Sequence, residues 1–211
     1  IVGDYDIDGV CSTYILLQAF ERLGSDVDFE IPDRIKDGYG INESIIEQAH
    51  ADGVEVILTC DNGISAFHQV ELAKKYGMMV VITDHHEVPL DGEKEKIPPA
   101  DAVIDPKQAD CPYPFPEICG AVVAYKLVQV LYARRGVPQM EWLDLLEFAA
   151  IATVGDVMKL QDENRILVKY GLKKMAQTKN LGLRRLAEKN NLDLGAITAY
   201  HIGFVIGPCL N

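Results

Sequence analysis

Four short apolar runs in the first part of the chain are each closed by an acid: "IVGD" at Asp4, "EVILTCDNG" at Asp61, "MMVVITDHH" at Asp84 and "DAVIDP" at Asp105. Their apolar positions are consecutive rather than alternating, the pattern of strands buried on both faces of a parallel sheet. Between the runs the spacing becomes helical, over residues 12–23 before Gly24, 43–51 before Gly53 and 65–76 before Gly77, with a glycine at each stop. Strand and helix thus alternate, and right-handed crossovers would lay helices on both faces of the sheet. A further run, "DVDFEIPD", does alternate and predicts a strand nearer an edge, with Val27, Phe29 and Ile31 inward. From Gly120 onward the texture is helical, through "GAVVAYKLVQVLYARRG", "MEWLDLLEFAAIATVGDVM", "NRILVKYGLKKMAQ" and "GLRRLAEKNN". The Pro-rich "DPKQADCPYPFPEICG" between the two regimes reads as an irregular connection. The predicted fold is α/β: a mostly parallel β-sheet flanked by helices over residues 1–118, followed by a helical C-terminal part over residues 119–211.

Ligands of open parallel sheets gather outside the carboxyl ends of the strands, and this chain puts its acids there. Composition narrows what they serve. The 211 residues, 48% of them hydrophobic, can bury the core of one domain or slightly more. Against 20 basic residues stand 32 acidic ones, a net charge of −12 that argues against a surface built for broad phosphate binding, so any nucleic acid must be held locally. Cys11, Cys60, Cys111, Cys119 and Cys209 are odd in number and lack C-x-x-C spacing, which fits neither a disulfide framework nor a structural zinc site. A reducing cytoplasmic location is expected. No apolar run is long enough to span a bilayer, and the chain begins at Ile1 rather than Met, so an upstream segment is expected to have been removed.

"GDYDIDGV", with Asp4, Asp6 and Asp8 alternating before Gly9, matches the first half of a calcium loop, but the position that needs a bidentate Glu is Ile15. The acids must be weighed with three other places that offer hard or borderline ligands: Asp61, then Asp84 with His85 and His86, then Asp156 in "TVGDVM". Oxygen with some imidazole suits Mn²⁺ or Mg²⁺. Two such ions about 3.5 to 4 Å apart, sharing a carboxylate, activate water and offset charge on a phosphoryl group. Such a pair needs more carboxylates than one ion does. Taken singly, a strand-end Asp is as readily a helix cap or turn residue, as Asp61 before "NG" and Asp105 before Pro106 would be. Adjacent His85 and His86 are harder to explain by packing, and Asp156 beside an apolar stretch is costly unless paired or metal-bound. His50, His68 and His201 read as surface or satisfied core residues.

"DYDIDG", "DNG", "DHH" and "GD", in this order from Asp4 to Asp156, resemble the four motifs of the DHH phosphoesterases. "IPDRIKDGYGIN", "CGAVVAYKL" and "GFVIGPCLN" are similar to the RecJ branch, single-strand-specific 5′ to 3′ DNA exonucleases of repair and recombination, so the resemblance covers the whole chain. It implies that Asp6 and Asp8 each bind one ion, that Asp61 bridges both, and that His85 and Asp156 complete the coordination of two Mn²⁺ or Mg²⁺. It further implies that His86 faces the phosphate, stabilising charge or protonating the leaving oxygen, with Asp84 orienting its neighbours and Asp4 ligating weakly or through water. Arg34 corresponds to a place where the family offers a basic residue to the substrate phosphate; the plainer reading is a solvated Arg beside Asp33 and Asp37.

Single-stranded DNA is the implied partner, and contact with a single-stranded-DNA-binding protein would go through domains outside these residues. The leading histidine of the oligoribonuclease and pyrophosphatase branches is replaced by Val2. In the family's last motif Cys209 follows Pro208 where an Arg is common, which removes one phosphate contact. The DHH-associated and OB domains are not in this chain, which reads as a catalytic core. The alternatives are an oligoribonuclease or cyclic-dinucleotide phosphodiesterase with the same metals and, in another class, a replication scaffold that has lost them. Intact Asp6, Asp8, Asp61, His85, His86 and Asp156 oppose the second.

Overall fold

The structure is a computed structural model that describes residues 1–36 and 38–211. Its sheet joins β1 (Val56–Cys60), β2 (Met79–Thr83) and β5 (Ala102–Ile104), all parallel, in the order β1-β2-β5; β3 (Leu90–Asp91) and β4 (Lys94–Glu95) form a separate antiparallel ribbon. The first residues extend the sheet beyond β1, because Val2 bridges in parallel to Thr59 on one side and Glu30 on the other. The "IVGD" and "DVDFEIPD" segments therefore lie where the pattern put them, as an inner and an edge segment. Val27 and Ile31 are half-buried and Asp28 and Glu30 exposed, as the alternation requires, but Phe29 is half exposed, because it lines an open cavity with residues of α2 (Glu43–Ala51) instead of packing against them.

Helices cover both faces. On one, α2 (Glu43–Ala51) and α3 (Phe67–Lys75) pack together over a core of Ile46, Ile57, Val70, Val80 and Ile82. On the other, α1 (Ile7–Arg22), α4 (Gly120–Arg135), α6 (Leu146–Gly155) and α7 (Asp162–Met175) enclose a larger core that includes Ile15, Leu16, Tyr125, Tyr132 and Ile151. The helices after Gly120 thus share one core with α1 and β1. The single stretch expected from "MEWLDLLEFAAIATVGDVM" is two helices, α5 (Gln139–Leu143) and α6, because the chain turns at Asp144 and Leu145; α8 (Leu181–Lys189) follows α7. Among the described residues no helix is long and apolar enough to cross a membrane, and all five cysteines are free.

The largest departure from expectation is the start of α1, at Ile7 rather than near Ser12. Asp6 has extended backbone (φ −85, ψ 179) and its side chain accepts from Gly9 N at 2.9 Å, an N-cap, while Asp8 sits in the first turn where the helix dipole favours an acid. The cap reading and the ligand reading of these acids are compatible.

Candidate metal centre

The carboxylates are aimed by backbone. A side chain at Gly9 would put its Cβ 2.4 Å from the Asp4 carbonyl oxygen, so the glycine of "DYDIDG" lets the first turn of α1 pass over Asp4. Asp8 points away from its own helix: Oδ2 accepts from Gly120 N and Oδ1 from Ala121 N, both at 2.7 Å. Cys119, the N-cap of α4, supplies no side-chain bond of its own. Asp8 takes over that role, anchored by the positive end of a 16-residue helix. Gly120 is needed for the approach, because its Cβ would lie 2.7 Å from both Cβ and Oδ1 of Asp61.

At the end of β1, Asp61 occupies the left-handed region (φ 60), which Asp tolerates better than most residues. At the end of β2, buried Asp84 acts as a hub. Its Oδ1 accepts from His85 N (2.7 Å), His86 N (3.2 Å) and His86 Nδ1 (2.7 Å), and its Oδ2 from Ile64 N (2.9 Å). The Tyr39 hydroxyl donates to the Asp61 carbonyl at 2.7 Å and lies 3.1 Å from His86 Nε2. Both nitrogens of His86 thus have partners, whereas His85 turns inward, its ring centroid 4.5 Å from that of His86.

Ligand atoms converge in three overlapping groups: Asp4, Asp6 and Asp61; Asp8, His85 and Asp156; and Asp61, His85 and His86. His85 Nε2 is 3.1 Å from Asp61 Oδ1, 3.4 Å from Asp8 Oδ2 and 3.9 Å from Asp156 Oδ2. The first contact is close without being aligned as a hydrogen bond: Asp61 Oδ1, like Asp4 Oδ2 and His85 Nδ1, is buried with no hydrogen-bond partner. Among the described residues no Lys or Arg makes an ion pair with Asp4, Asp6, Asp8, Asp61 or Asp156. Buried carboxylates without cations cost free energy, and it shows in their protonation. Burial, then Asp8 and Asp6, drive the Asp61 carboxyl far above the usual range. Burial raises Asp4, and burial with Asp8 and Asp6 raises Asp156 to about 7. Asp156 is also the C-cap of α6, the end of a helix where a negative charge is unfavourable. Each of these penalties would be relieved by divalent cations.

The two histidines diverge. Burial holds His85 below its ordinary value, as suits a neutral ligand, while the hydrogen bond to Asp84 raises His86. For Asp84 burial pushes upward, but the His86 bond and charge and the N–H groups of Ile64 and His85 outweigh it, leaving the carboxyl below the usual range.

The structure therefore brings together Asp4, Asp6, Asp8, Asp61, Asp84, His85, His86 and Asp156. Asp4, expected to ligate weakly, is fully buried and within ligand reach of Asp6 and Asp61. Arg34 is exposed, with its guanidinium 5.0 Å from the ring centroid of Tyr5, between Asp4 and Asp6 in sequence; Asp37, named as its possible neighbour, lies outside the described residues. Asp105, read as a turn residue, does bond Lys107 N at 2.8 Å, yet its Oδ2 is buried and unpartnered and burial raises it to about 6. Three residues that position the cluster were given no role in the sequence. Tyr39 and Gly120 sat in quoted motifs with no chemistry attached, and Gly9 was noted only as part of a calcium-like spacing.

Residues 1–153 match the family described as "DHH family, N-terminal domain". The chain belongs to the DHH family. Among curated DHH relatives it is 41% identical to the single-stranded-DNA-specific exonuclease RecJ of Bacillus subtilis (strain 168), covering 100% of this chain and 25% of the relative. It is 37% identical to RecJ of Escherichia coli (strain K12), covering 100% of this chain and 38% of the relative. Among solved structures it superposes on exonuclease RecJ bound to manganese with a TM-score of 0.85 at 33% identity, covering 98% of this chain and 50% of that one. On RecJ from Thermus thermophilus in complex with Mn²⁺ the TM-score is 0.78 at 31% identity, covering 98% and 28%. The chain thus spans a quarter to two-fifths of the length of these two curated relatives.

Proposed function

We propose that this chain is the catalytic DHH unit of a two-metal phosphodiesterase that removes nucleotides from the 5′ end of single-stranded DNA, with residues 1–118 and 119–211 as the α/β and helical parts of that unit. The observation that carries the reading is Asp61, a carboxylate within ligand reach of two groups of donors at once. Asp4, Asp6 and Asp61 would hold one ion, and Asp8, His85 and Asp156, with Asp61 shared, the other. Oxygen and imidazole donors fit Mn²⁺ or Mg²⁺, as do the buried oxygens without partners. The relatives' names and the manganese and magnesium in their structures support the same assignment. The five free cysteines fit a reducing compartment such as the cytoplasm.

When bound, such a pair supplies Lewis acidity and lowers the pKa of water. The chain's own residues do the rest. The α4 N-terminus fixes Asp8, and Asp84 fixes the His86 ring and favours its imidazolium form, whose Nε2 proton faces the Tyr39 hydroxyl until a phosphate oxygen takes its place. A water oxygen bonds to phosphorus, the bond to the leaving oxygen breaks, that oxygen takes the Nε2 proton, and the proton given up by the water passes to solvent. Arg34, beside Tyr5 at the margin of the cluster, is assigned to a substrate phosphate.

The test is digestion of single-stranded oligonucleotides labelled at either end, DNA and RNA in parallel. Mn²⁺-dependent release of mononucleotides from the 5′ end of DNA is expected, with loss of release in EDTA and in Asp61→Ala. Digestion that survives both would refute the reading.

A further inference from the structure

His86 and Asp84, which border the carboxylate cluster, also line a cavity of about 290 Å³. Two larger cavities, about 360 and 520 Å³, share no residue with the cluster. The smaller one is walled by Tyr39, Ile64 and Ala66 and edged by the polar groups of Ser65 and Gln69. Among the described residues the Ser65 hydroxyl and Gln69 amide make no hydrogen bond. None of the lining residues is a Lys or Arg, so the cavity is not built for a phosphate.

We propose that this cavity seats the nucleoside of the terminal nucleotide, the one that departs as a mononucleotide; the proposal rests on the phosphodiesterase reading above. Its volume lies near the lower end of the ~300–1,000 Å³ range of small-molecule pockets, room for one nucleoside rather than a length of strand. A base needs an apolar face and a polar edge, and here a half-exposed Tyr39 ring meets two hydrogen-bonding side chains. Those side chains are indifferent to sequence. A serine hydroxyl rotates between donor and acceptor, and a glutamine amide presents both, so the edges of all four bases can be met, as removal of successive nucleotides requires. The location selects which nucleoside. His86 borders both the cluster and the cavity, so a nucleoside in the cavity is bonded directly to the phosphate at the cluster, which in removal from the 5′ end is the terminal one.

The experiment titrates the four deoxynucleoside 5′-monophosphates, and inorganic phosphate alone, into the Mn²⁺-loaded chain by calorimetry. Ser65→Trp fills the cavity from an exposed loop position, and Gln69→Leu keeps volume while removing the polar edge. The four monophosphates should bind within about threefold of one another, given the adaptable edge. Ser65→Trp should weaken each by about tenfold or more, and Gln69→Leu by about three- to tenfold, with Mn²⁺ and phosphate affinities unchanged. Unchanged monophosphate affinity in the variants, or phosphate binding as tightly as the monophosphates, would overturn the proposal. Should Ser65→Trp fail to fold, Gln69→Leu decides, and equal affinity there is a refutation. If the wild type shows no Mn²⁺-dependent digestion, the phosphodiesterase reading falls. If it digests DNA and Ser65→Trp does so with unaltered KM, the cavity assignment alone falls.

Discussion

Replacing Gly120 with Ala is a one-carbon change outside every family motif named for its acids, and the structure makes it costly. The new Cβ would sit 2.7 Å from Asp61 Cβ and Oδ1 and 3.0 Å from Asp61 Cα. Reaching an ordinary contact of 3.4 Å requires a relative shift of at least about 0.7 Å between α4 and the end of β1. Asp61 is pinned by β1 and by the Tyr39 bond to its carbonyl, so α4 must yield, loosening the two 2.7 Å bonds that hold Asp8. Overpacking of this kind costs about 1–3 kcal/mol. On a chain of this size that lowers the unfolding midpoint by roughly 2–12 °C. A helical Gly→Ala change ordinarily stabilises by about 0.5–1 kcal/mol, so the sign itself is diagnostic. Displacing groups that orient metal ligands typically costs about 10–100-fold in affinity. Calorimetric Mn²⁺ titration of wild type and variant, with thermal unfolding in parallel, should show both losses. A Gly120→Ala protein that binds Mn²⁺ with wild-type affinity would refute the clamp.

Asp61→Ala should abolish both Mn²⁺ binding events in a titration, whereas Asp8→Ala should spare one. His85→Ala should weaken Mn²⁺ binding, while His86→Ala should keep it and lower turnover by roughly 10² to 10⁴; equal metal loss in both would reverse the two roles. Saturating Mn²⁺ at about 100 times its Kd should stabilise the chain by about 2.7 kcal/mol per site, and EDTA should remove that gain in a melting experiment. Glu147 is buried with Oε2 unpartnered, and burial raises its pKa despite the bond from Thr178, so its penalty is absent below the unfolded pKa and complete above the folded one. Glu147→Gln should therefore stabilise the protein at pH 8 and lose that advantage toward pH 4; a pH-independent difference in denaturant midpoint would contradict this.

The clustering of these acids and histidines was legible because strand ends are readable from apolar runs and acids at those ends are unusual in number. Asp61 and His85 could be grouped without coordinates, since a parallel sheet gathers its carboxyl ends at one edge, whereas Asp156, at the end of α6, was reached only through the cost of burying it and the family motif. Tyr39 and Gly120 could not be assigned roles. A phenol bridging His86 to a backbone carbonyl, and a glycine that is needed because Asp61 is its neighbour across the fold, are properties of pairs distant in the chain. Phe29 differs for a related reason: it shares an open cavity of about 360 Å³ with residues of α2, a gap between segments that alternation along one of them does not reveal. The start of α1 differs because the helical spacing of the apolar residues begins only at Ser12, whereas Asp6 opens the helix earlier by accepting from Gly9.

The bond between Asp8 and the α4 N-terminus spans 112 residues, and the group completed by Asp156 reaches further still. During synthesis the acids near Asp8 emerge long before their partners, by on the order of ten seconds at about 5–20 residues per second. His85 arrives part-way through that interval, but Asp8 still lacks its helix, and Asp156 comes later again. The donor set thus closes only late in folding, and topology alone keeps the nascent chain from assembling it early.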